Sequence, residues 1–490
     1  MRFVQAEQLA GTYDFALIGT GFGSLFFAHK LLDALPANAR IVFLERGRYR
    51  DHALQVSEDR NGDFPVDAYV DIGDPRKKNW RFTIAMGGGT LCWWGKTPRL
   101  HPSSFKLKSR HGFARDWPFG YEELEPYYCD AEDIIGVSGD SADVAEFPRS
   151  RPYPFPPHRF STPDEVMKKA YPGKLIALPS ARPSIHNERR ARCCANGVCG
   201  RCPIDAKFTA LNGMGRVFDD PRVSIVLDAI VTQIDVSGGM AKGVVFIEQG
   251  RERRVAADHV VLGANALFNP VILAHSGLQH RVLGRYLNEQ IGHVYEVHLE
   301  KLDALDGGSV GTSMYIGEID PEDRAKKGSF VYYFDNRWQT FGLRPDPAKA
   351  RKVFPIVEIV EEEPQYVNHV DLTRPAHERP IIRHVATSAY GTAGVARSRS
   401  QVETILAPLG LERIGKPILW NALGHIEGTT IMGDDPADAI VDAGQIHHVV
   451  RNISVVGTSV LPTCGNYPPS LTAAALSLRA ADRLTRKGAA

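Results

Sequence analysis

The chain has 490 residues, enough for two or three domains at about 150 residues each. Its 58 basic and 57 acidic residues leave a net charge of +1, so the composition argues against nucleic acid or an anionic membrane surface as a partner. No run approaches the roughly 18 apolar residues of a membrane span, and a strand-like unit begins too soon after Met1 to leave room for a signal peptide. We therefore expect a cytoplasmic protein with a small-molecule ligand.

The amino-terminal stretch predicts a dinucleotide-binding unit. An apolar strand at residues 13–18 leads into a glycine-rich turn, a helix with apolar residues at helical spacing, and a second strand at 41–44 that ends at Glu45. Such glycines let the backbone approach a pyrophosphate at the helix N-terminus, and an acidic residue about 20 positions later accepts the ribose hydroxyls. Ser24 stands where a third glycine is usual. The turn residues are Gly19, Gly21, Gly23 and Ser24.

A second glycine-rich stretch, residues 86–99, combines three consecutive glycines with the pair Trp93 and Trp94. Backbone of this kind lies close along a flat aromatic ligand. A glycine-rich turn beside a core tryptophan would have the same composition, so the residues alone leave both interpretations open.

Four of the seven cysteines lie within residues 193–202, which favours a metal or redox cluster in a reducing compartment over a disulfide framework. Thiolates bind soft metals, and Cys-x-x-Cys followed by proline occurs in iron–sulfur loops. Because adjacent Cys193 and Cys194 rarely face one metal, we expect at most three ligands: Cys199, Cys202 and one of the pair, taken as Cys194. Three thiolates are too few for a closed zinc site. An iron–sulfur cluster, zinc and plain thiols all stay open.

The remaining periodicity predicts an α/β protein, α+β overall. A helix with an acidic first turn is expected at residues 118–135, and the last helix at 473–484. The later strands, separated by charged turns, favour a mostly antiparallel sheet with one packed face. Alternation of apolar and polar residues predicts strands at 223–227, 230–236 and 243–248. An apolar run predicts a strand at 259–262, and further runs of strand type lie at 313–316, 330–334, 353–360 and 369–372.

Towards the carboxyl end, residues 424–436 contain His425, one of the chain's seventeen histidines. An imidazole with an ordinary pKa near 6.5 can accept a proton near neutral pH and return it. His447 and His448, which follow, are expected to be structural. Residues 465–472 open the final helix, whose N-terminus can stabilise negative charge.

These segments resemble the flavin-dependent glucose-methanol-choline (GMC) oxidoreductases. The resemblance covers the amino-terminal fingerprint, the GGGT-x-x-W-x-G-x-x-x-R stretch, the H-x-x-G-T-x-x-M-G segment that begins at His425 and the final P-x-x-T segment. It implies FAD, with the glycine-rich loop beside the isoalloxazine. Cys92 stands where some members link a histidine to the flavin, so a histidyl link is not expected and a thioether is a minor option. The implied cofactor residues are Gly19, Gly21, Gly23, Ser24, Glu45, Arg46, Gly88, Gly89, Thr90, Trp93, Ala264, Ser459, Pro469 and Thr472.

In the family, the histidine at the position of His425 takes the proton of the substrate hydroxyl while the carbinol hydride moves to the flavin. Pro468 occupies the place of the second catalytic residue and has no side-chain donor. Asn466, two residues earlier, either substitutes for it or only serves a turn. Some members with a similar cysteine stretch hold a three-iron cluster, with one more residue between the last two cysteines.

The resemblance also implies the domain organisation: a Rossmann-like FAD-binding domain, a flavin-covering loop and lid region, and a substrate-binding domain with a mostly antiparallel sheet. Their expected limits are 1–55, 195–295 and 420–490 for the first, 56–194 for the second and 296–419 for the third.

We therefore expect FAD-dependent oxidation of a primary or secondary alcohol, first of all a sugar, glycoside or polyol. The expected partners are that small-molecule alcohol and an electron-acceptor protein or dioxygen. One alternative is an NAD-dependent dehydrogenase that uses the same fingerprint. The other is a flavin-binding protein with little turnover, which Pro468 motivates.

Overall fold

The computed structural model describes residues 1–9, 11–62, 64–73, 78–142, 145–197, 199–336 and 351–488. Its strands are β1 (Thr12–Ile18), β2 (Ile41–Leu44), β3 (Asp71–Ile72), β4 (Leu175–Ala177), β5 (Val223–Val226), β6 (Ile230–Ser237), β7 (Met240–Glu248), β8 (Arg251–Leu262), β9 (Ile291–Leu299), β10 (Gly311–Tyr315), β11 (Phe330–Asp335), β12 (Val353–Val360), β13 (His369–Asp371), β14 (Ile381–Arg383), β15 (Leu411–Ile414), β16 (Ile418–Leu419) and β17 (Ile453–Val455).

Its α-helices are α1 (Phe22–Leu31), α2 (His52–Ser57), α3 (Gly89–Cys92), α4 (Leu107–His111), α5 (Tyr121–Ile135), α6 (Thr162–Ala170), α7 (Ala210–Gly213), α8 (Gly215–Phe218), α9 (Asn269–His275), α10 (Ala389–Leu406) and α11 (Ser470–Gly488). Within the described residues, none of these helices combines the length and apolarity that a membrane crossing requires.

The first sheet has the strand order β5-β2-β1-β8-β7-β6, with β17 beside β8. Strands β5, β2, β1, β8 and β17 run parallel, whereas β7 pairs antiparallel with β8, and β6 pairs antiparallel with β7. The register pairs Ile18 with both Leu44 and Leu262, and Leu262 with Val455, so these strands end level at one edge. In open α/β sheets, ligands bind outside the carboxyl ends of such strands.

The second sheet is antiparallel throughout, with the order β15-β9-β12-β11-β10-β4 and β16 beside β9. One of its faces, which includes Tyr332 and Ile356, packs on α10. The other face, which includes Tyr333 and Val357, belongs to the main core beneath the first sheet. The predicted combination of a parallel, nucleotide-binding type of sheet with an antiparallel one is confirmed.

Sheet membership departs from the expected domain limits at three places. Strand β4, from the predicted lid region, extends the second sheet beyond β10, because all three of its residues are buried there. Strand β9 begins at Ile291, before the expected limit at 296. Strands β13 and β14 leave the second sheet and pair with β3, since Val370 and Ile382 bury against Phe82. The domain limits as such stay a prediction.

Candidate active site

One pocket brings the amino-terminal glycines and His425 together. It opens at the carboxyl edge of the first sheet and extends to the second sheet, where Val357 and Ile359 line it. Among the predicted site residues, its lining contains Gly19, Gly21, Gly23, Glu45, Arg46, Gly88, Gly89, Trp93, Ala264, His425 and Pro469.

Glycine stands at each of three positions of the first turn for a different physical reason. Gly19 adopts φ +81°, and a Cβ there would lie 2.8 Å from the carbonyl oxygen of Gly263. A Cβ on Gly23 would lie 2.8 Å from the backbone nitrogen of Gly457. A Cβ on Gly21 would meet no atom within 4 Å, so this glycine faces open space at the start of α1. The first N–H groups of a helix lack intrahelical partners, and an anion placed there satisfies them.

Ser24 does not line the pocket. Its buried hydroxyl donates to the carbonyl oxygen of Ile18 at 3.1 Å and secures α1 against β1. Gly23 takes the packing role of the third glycine one position early, which explains the irregular fingerprint.

Glu45 lies buried at the end of β2, and its carboxylate orders the turn. One oxygen accepts hydrogen bonds from the backbone N–H and the hydroxyl of Thr20, at 2.8 and 2.6 Å, and the other accepts one from the N–H of Gly47 at 2.7 Å. Burial raises the pKa of Glu45, although these hydrogen bonds oppose the shift. Because a carboxylate has about four acceptor sites, one stays available for a ribose hydroxyl. Helix N–H groups and this carboxylate fit the ADP part of FAD.

The second glycine-rich stretch lies directly against the first turn. A Cβ on Gly88 would be 3.4 Å from the Cα of Gly21, and the N–H of Gly87 donates to the hydroxyl of Thr20 at 2.8 Å. Half-buried Cys92 lines the pocket beside this loop. The loop therefore lies against the nucleotide-binding turn, and its expected position beside an isoalloxazine stays a prediction.

Besides Ser24, three predicted cofactor residues are absent from the pocket lining, and each has a hydroxyl that bonds a structural partner. They hold the loop and helix ends in place rather than facing a ligand. Thr90 donates to Gly87 at 2.7 Å, Ser459 accepts from Asn269 at 2.8 Å, and Thr472 bonds Tyr128 at 2.9 Å.

His425 is held by two residues that precede β9. Its Nδ1 lies 2.8 Å from Oε1 of Gln290, and its backbone N–H donates to Glu289 at 2.8 Å. The N–H of Gly424 donates to the same carboxylate oxygen at 2.6 Å. Sequence reasoning missed Glu289 and Gln290; the only signal was a polar Asn-Glu-Gln run immediately before an apolar strand.

The electrostatic surroundings keep the His425 ring neutral. Burial, together with the positive charges of Lys96 and Lys78, lowers the pKa of His425 to about 3. Lys78 is paired with the fully buried carboxylate of Glu289. At neutral pH, the ring therefore carries a lone pair on one of its nitrogens.

Asn466 does not reach the pocket. It is buried, and its amide donates at 3.0 Å to the hydroxyl of Ser329, which immediately precedes β11. Pro468 lines the pocket, as expected for the position of the second catalytic residue. The structural interpretation of Asn466 therefore agrees with the geometry, and the catalytic one does not.

We expect Asn466→Ala to change the rate of anaerobic flavin reduction by less than about threefold, because its amide supports Ser329 and not the pocket. The loss of one buried hydrogen bond should cost about 1–3 kcal/mol of unfolding free energy. Stopped-flow reduction and thermal unfolding of the same sample measure both effects. A hundredfold slower reduction in a normally folded variant would return Asn466 to the site.

The cysteine stretch does not form a metal site in the described structure. Cys199 is buried, whereas Cys194 is exposed, and Cys202 accepts a hydrogen bond from the N–H of Ala206 at 3.2 Å. Among the described residues, no group of three or more His, Cys, Asp or Glu is placed to share a metal ion. The predicted iron–sulfur cluster is therefore not supported.

The pocket lies at a nucleotide-binding sheet edge, passes a glycine-rich loop and contains a neutral imidazole. This combination is the architecture of a flavin-dependent oxidoreductase. Comparisons with known proteins agree. Residues 380–477 match the family described as GMC oxidoreductase. The fold also matches the crystal structure of pyridoxine 4-oxidase from Mesorbium loti, with a TM-score of 0.68 and 17% identity over 96% of this chain and 99% of that one.

Two curated relatives match along most of their length. The fructose dehydrogenase large subunit of Gluconobacter japonicus is 26% identical, with 96% of this chain and 97% of that one covered. The 2-methyl-1,2-propanediol dehydrogenase of Mycolicibacterium austroafricanum is 25% identical, with 82% and 81% covered. The chain is thus similar to GMC oxidoreductases over most of its length, and these matches support an FAD-dependent oxidoreductase that acts on CH–OH groups. This assignment replaces the NAD-dependent alternative.

Proposed function

We propose that the protein oxidises a primary or secondary hydroxyl group to a carbonyl, with His425 as the base. The observation that supports this proposal is that His425 lines the same pocket as Gly21 and Glu45. FAD, when bound there, supplies the acceptor for the hydride of the carbinol carbon.

The chain's own groups would hold the cofactor at both ends of the pocket. The free N–H groups at the start of α1 would bind the pyrophosphate beside Gly21, and Glu45 would accept the ribose hydroxyls. At the other end, Pro469 and Ser470 line the pocket at the start of α11. The positive end of a 19-residue helix stabilises negative charge on a bound ring system.

His425 would work as a neutral base. Because its pKa is lowered to about 3, its lone pair is available throughout the neutral range. The imidazole lone pair would accept the proton as the substrate O–H bond breaks, and the electron pair left on the oxygen would form the carbonyl as the hydride leaves the carbinol carbon. The protonated ring, being acidic in this environment, then releases the proton readily.

The pH dependence tests this electrostatic account. We expect the rate of anaerobic flavin reduction to stay within about twofold between pH 8 and pH 5, since a group of pKa about 3 stays neutral over that range. An imidazole of ordinary pKa near 6.5 would be about 97% protonated at pH 5, and the rate would fall about 30-fold. Stopped-flow absorbance at saturating substrate measures the rate, with thermal unfolding at each pH as the control. A midpoint near pH 6.5 would refute the lowered pKa.

The substrate is proposed to be a sugar, a glycoside or a polyol. The two curated relatives are named for fructose and for 2-methyl-1,2-propanediol, both of which carry more than one hydroxyl group. The pocket that His425 lines is also lined by Val357, Ile359 and the tryptophan pair Trp94 and Trp420, whose ring centroids lie 5.8 Å apart. Apolar and aromatic walls suit the C–H face of a sugar or polyol, and a few polar groups then set its orientation.

An anaerobic panel of sugars, glycosides, polyols and simple alcohols tests this proposal. Bleaching of the flavin absorbance by members of the first three classes is the expected result. If no hydroxyl compound reduces a fully loaded flavin, the alternative of a flavin-binding protein with little turnover, which Pro468 in the pocket favours, takes its place.

The reduced protein is proposed to pass its electrons to an acceptor protein or to dioxygen. Mixing the reduced protein with air-saturated buffer separates the two, because an oxidase reoxidises rapidly and a dehydrogenase slowly. The cytoplasmic location stays a prediction.

A further inference from the structure

We infer that Gln290 is a positioning residue that fixes the tautomer of His425, and that Glu427 and the backbone carbonyl of Tyr467 fix the orientation of Gln290. The inference rests on the proposed role of His425 as the base. It assigns the catalytic lone pair to one particular atom, Nε2.

The first step is the orientation of the Gln290 amide, whose oxygen and nitrogen differ in their hydrogen-bonding partners and not in shape. Gln290 is 3% exposed, so its partners are those in the protein. One of them, the carbonyl oxygen of Tyr467 at 3.0 Å, can only accept a hydrogen bond. The amide nitrogen must therefore face Tyr467, and it also lies 3.1 Å from Oε1 of Glu427.

The orientation of the Gln290 amide determines the tautomer of His425. With its nitrogen committed, Gln290 presents its oxygen to Nδ1 of His425 at 2.8 Å. An amide oxygen can only accept, so Nδ1 carries the proton, and in a neutral imidazole Nε2 then carries the lone pair. The opposite tautomer would set two lone pairs against each other at this distance. Among the described residues, none forms a hydrogen bond with Nε2, and His425 lines the pocket.

Gln290 is an uncharged partner for His425 in surroundings that contain charged side chains. Burial raises the pKa of Glu427 well above its ordinary range, and Glu427 lies beside the buried thiol of Cys464. Glu289 is occupied by Lys78 and by the backbone N–H of His425. The remaining charged group near the ring, Lys96, is positive. A neutral amide thus fixes the tautomer without the rise in imidazole pKa that a carboxylate partner would cause.

Two substitutions test the inference in the flavin-loaded protein. Gln290→Met has nearly the same volume but no acceptor, and we expect anaerobic flavin reduction to slow by roughly 10–100-fold as the tautomer and ring angle are lost. Gln290→Glu restores an acceptor for Nδ1 and should reduce flavin at least about tenfold faster than Gln290→Met. Gln445→Met is the matched control, because Gln445 is an equally buried glutamine outside the pocket lining; its rate should stay within about twofold of wild type.

A second readout does not depend on turnover. In ¹⁵N spectra of histidine-labelled protein, with the His425 signals assigned by their loss in His425→Ala, Nδ1 should be protonated and Nε2 should not. This order should weaken in Gln290→Met. The wild-type spectrum carries the test even if Gln290→Met fails to fold.

The measurements separate failure of the inference about Gln290 from failure of the proposed function. If His425→Ala is inactive while Gln290→Met reduces flavin at the wild-type rate, or if Nε2 is the protonated nitrogen in wild type, the inference about Gln290 is overturned and the proposed function stands. If His425→Ala itself reduces flavin normally, the proposed function is lost.

Discussion

His425→Ala should retain its flavin and reduce it at least about 10³-fold more slowly than the wild type when mixed anaerobically with substrate. Removal of a positioned base typically costs 10²–10⁴-fold in rate. Flavin binding should persist, because Gly21 and Glu45, the groups that would hold the ADP part, are not hydrogen-bond partners of His425. Single-turnover stopped-flow absorbance gives the rate, and the visible spectrum after denaturation gives the flavin content.

The matched control for this substitution is His448→Ala. His448 is half-buried, bonds the carbonyl oxygen of Gly433 at 3.0 Å and does not line the pocket. Its loss should leave flavin reduction within about twofold of wild type. Equal reduction rates in His425→Ala and the wild type would remove His425 from the role of base.

Gly21→Val is the change with the largest expected effect on cofactor content. Because Gly21 has φ −84° and a Cβ there meets no protein atom within 4 Å, a larger residue is tolerated by the backbone and by its neighbours. Its side chain would instead occupy the space where the pyrophosphate approaches α1. We expect a folded protein, with an unfolding temperature within a few degrees of the flavin-free wild type, and at least about tenfold less bound flavin.

Two further glycine variants separate cofactor loss from misfolding. Gly200→Val also adds a side chain in open space, but outside the pocket lining, and should keep its flavin. Gly23→Val should fail to fold, because its Cβ would lie 2.8 Å from the backbone nitrogen of Gly457. Full flavin content in Gly21→Val would show that the pyrophosphate does not approach at this turn.

Much of the fold could be predicted from local pattern. The apolar run before Gly19 is β1, and the strand that ends at Glu45 is β2. The predicted strand 353–360 is β12, with the predicted limits. These strands follow from short, nearly continuous apolar runs bounded by polar or turn residues, a signal that a single stretch of sequence carries in full. His425 and the glycine turns were equally local, since their motifs are contiguous.

The parts that could not be predicted depend on distant partners. Gln290 has no motif, and it reaches His425 only because the backbone of Asn288 pairs with Glu427, 139 residues later. Thr472 and Asn466 bear hydrogen-bonding groups in the right segment, yet Tyr128 and Ser329 take them away from the pocket. Spacing alone predicts which residues are near a site and not which way their side chains point.

The same reason explains the cysteines. Cys-x-x-Cys spacing was compatible with a cluster, but ligation requires three thiols that converge. The structure leaves Cys194 exposed while it buries Cys199. These cysteines are close in sequence, but in the described part of the chain their thiols do not converge on one metal position.

The most direct test of the central claim is a crystal structure of the flavin-loaded protein. The account predicts an ADP moiety at Gly19, Gly21 and Glu45, and an isoalloxazine ring between the loop at Gly88 and the Nε2 atom of His425. A flavin bound elsewhere, or an imidazole turned away from the ring with another residue in its place, would contradict it.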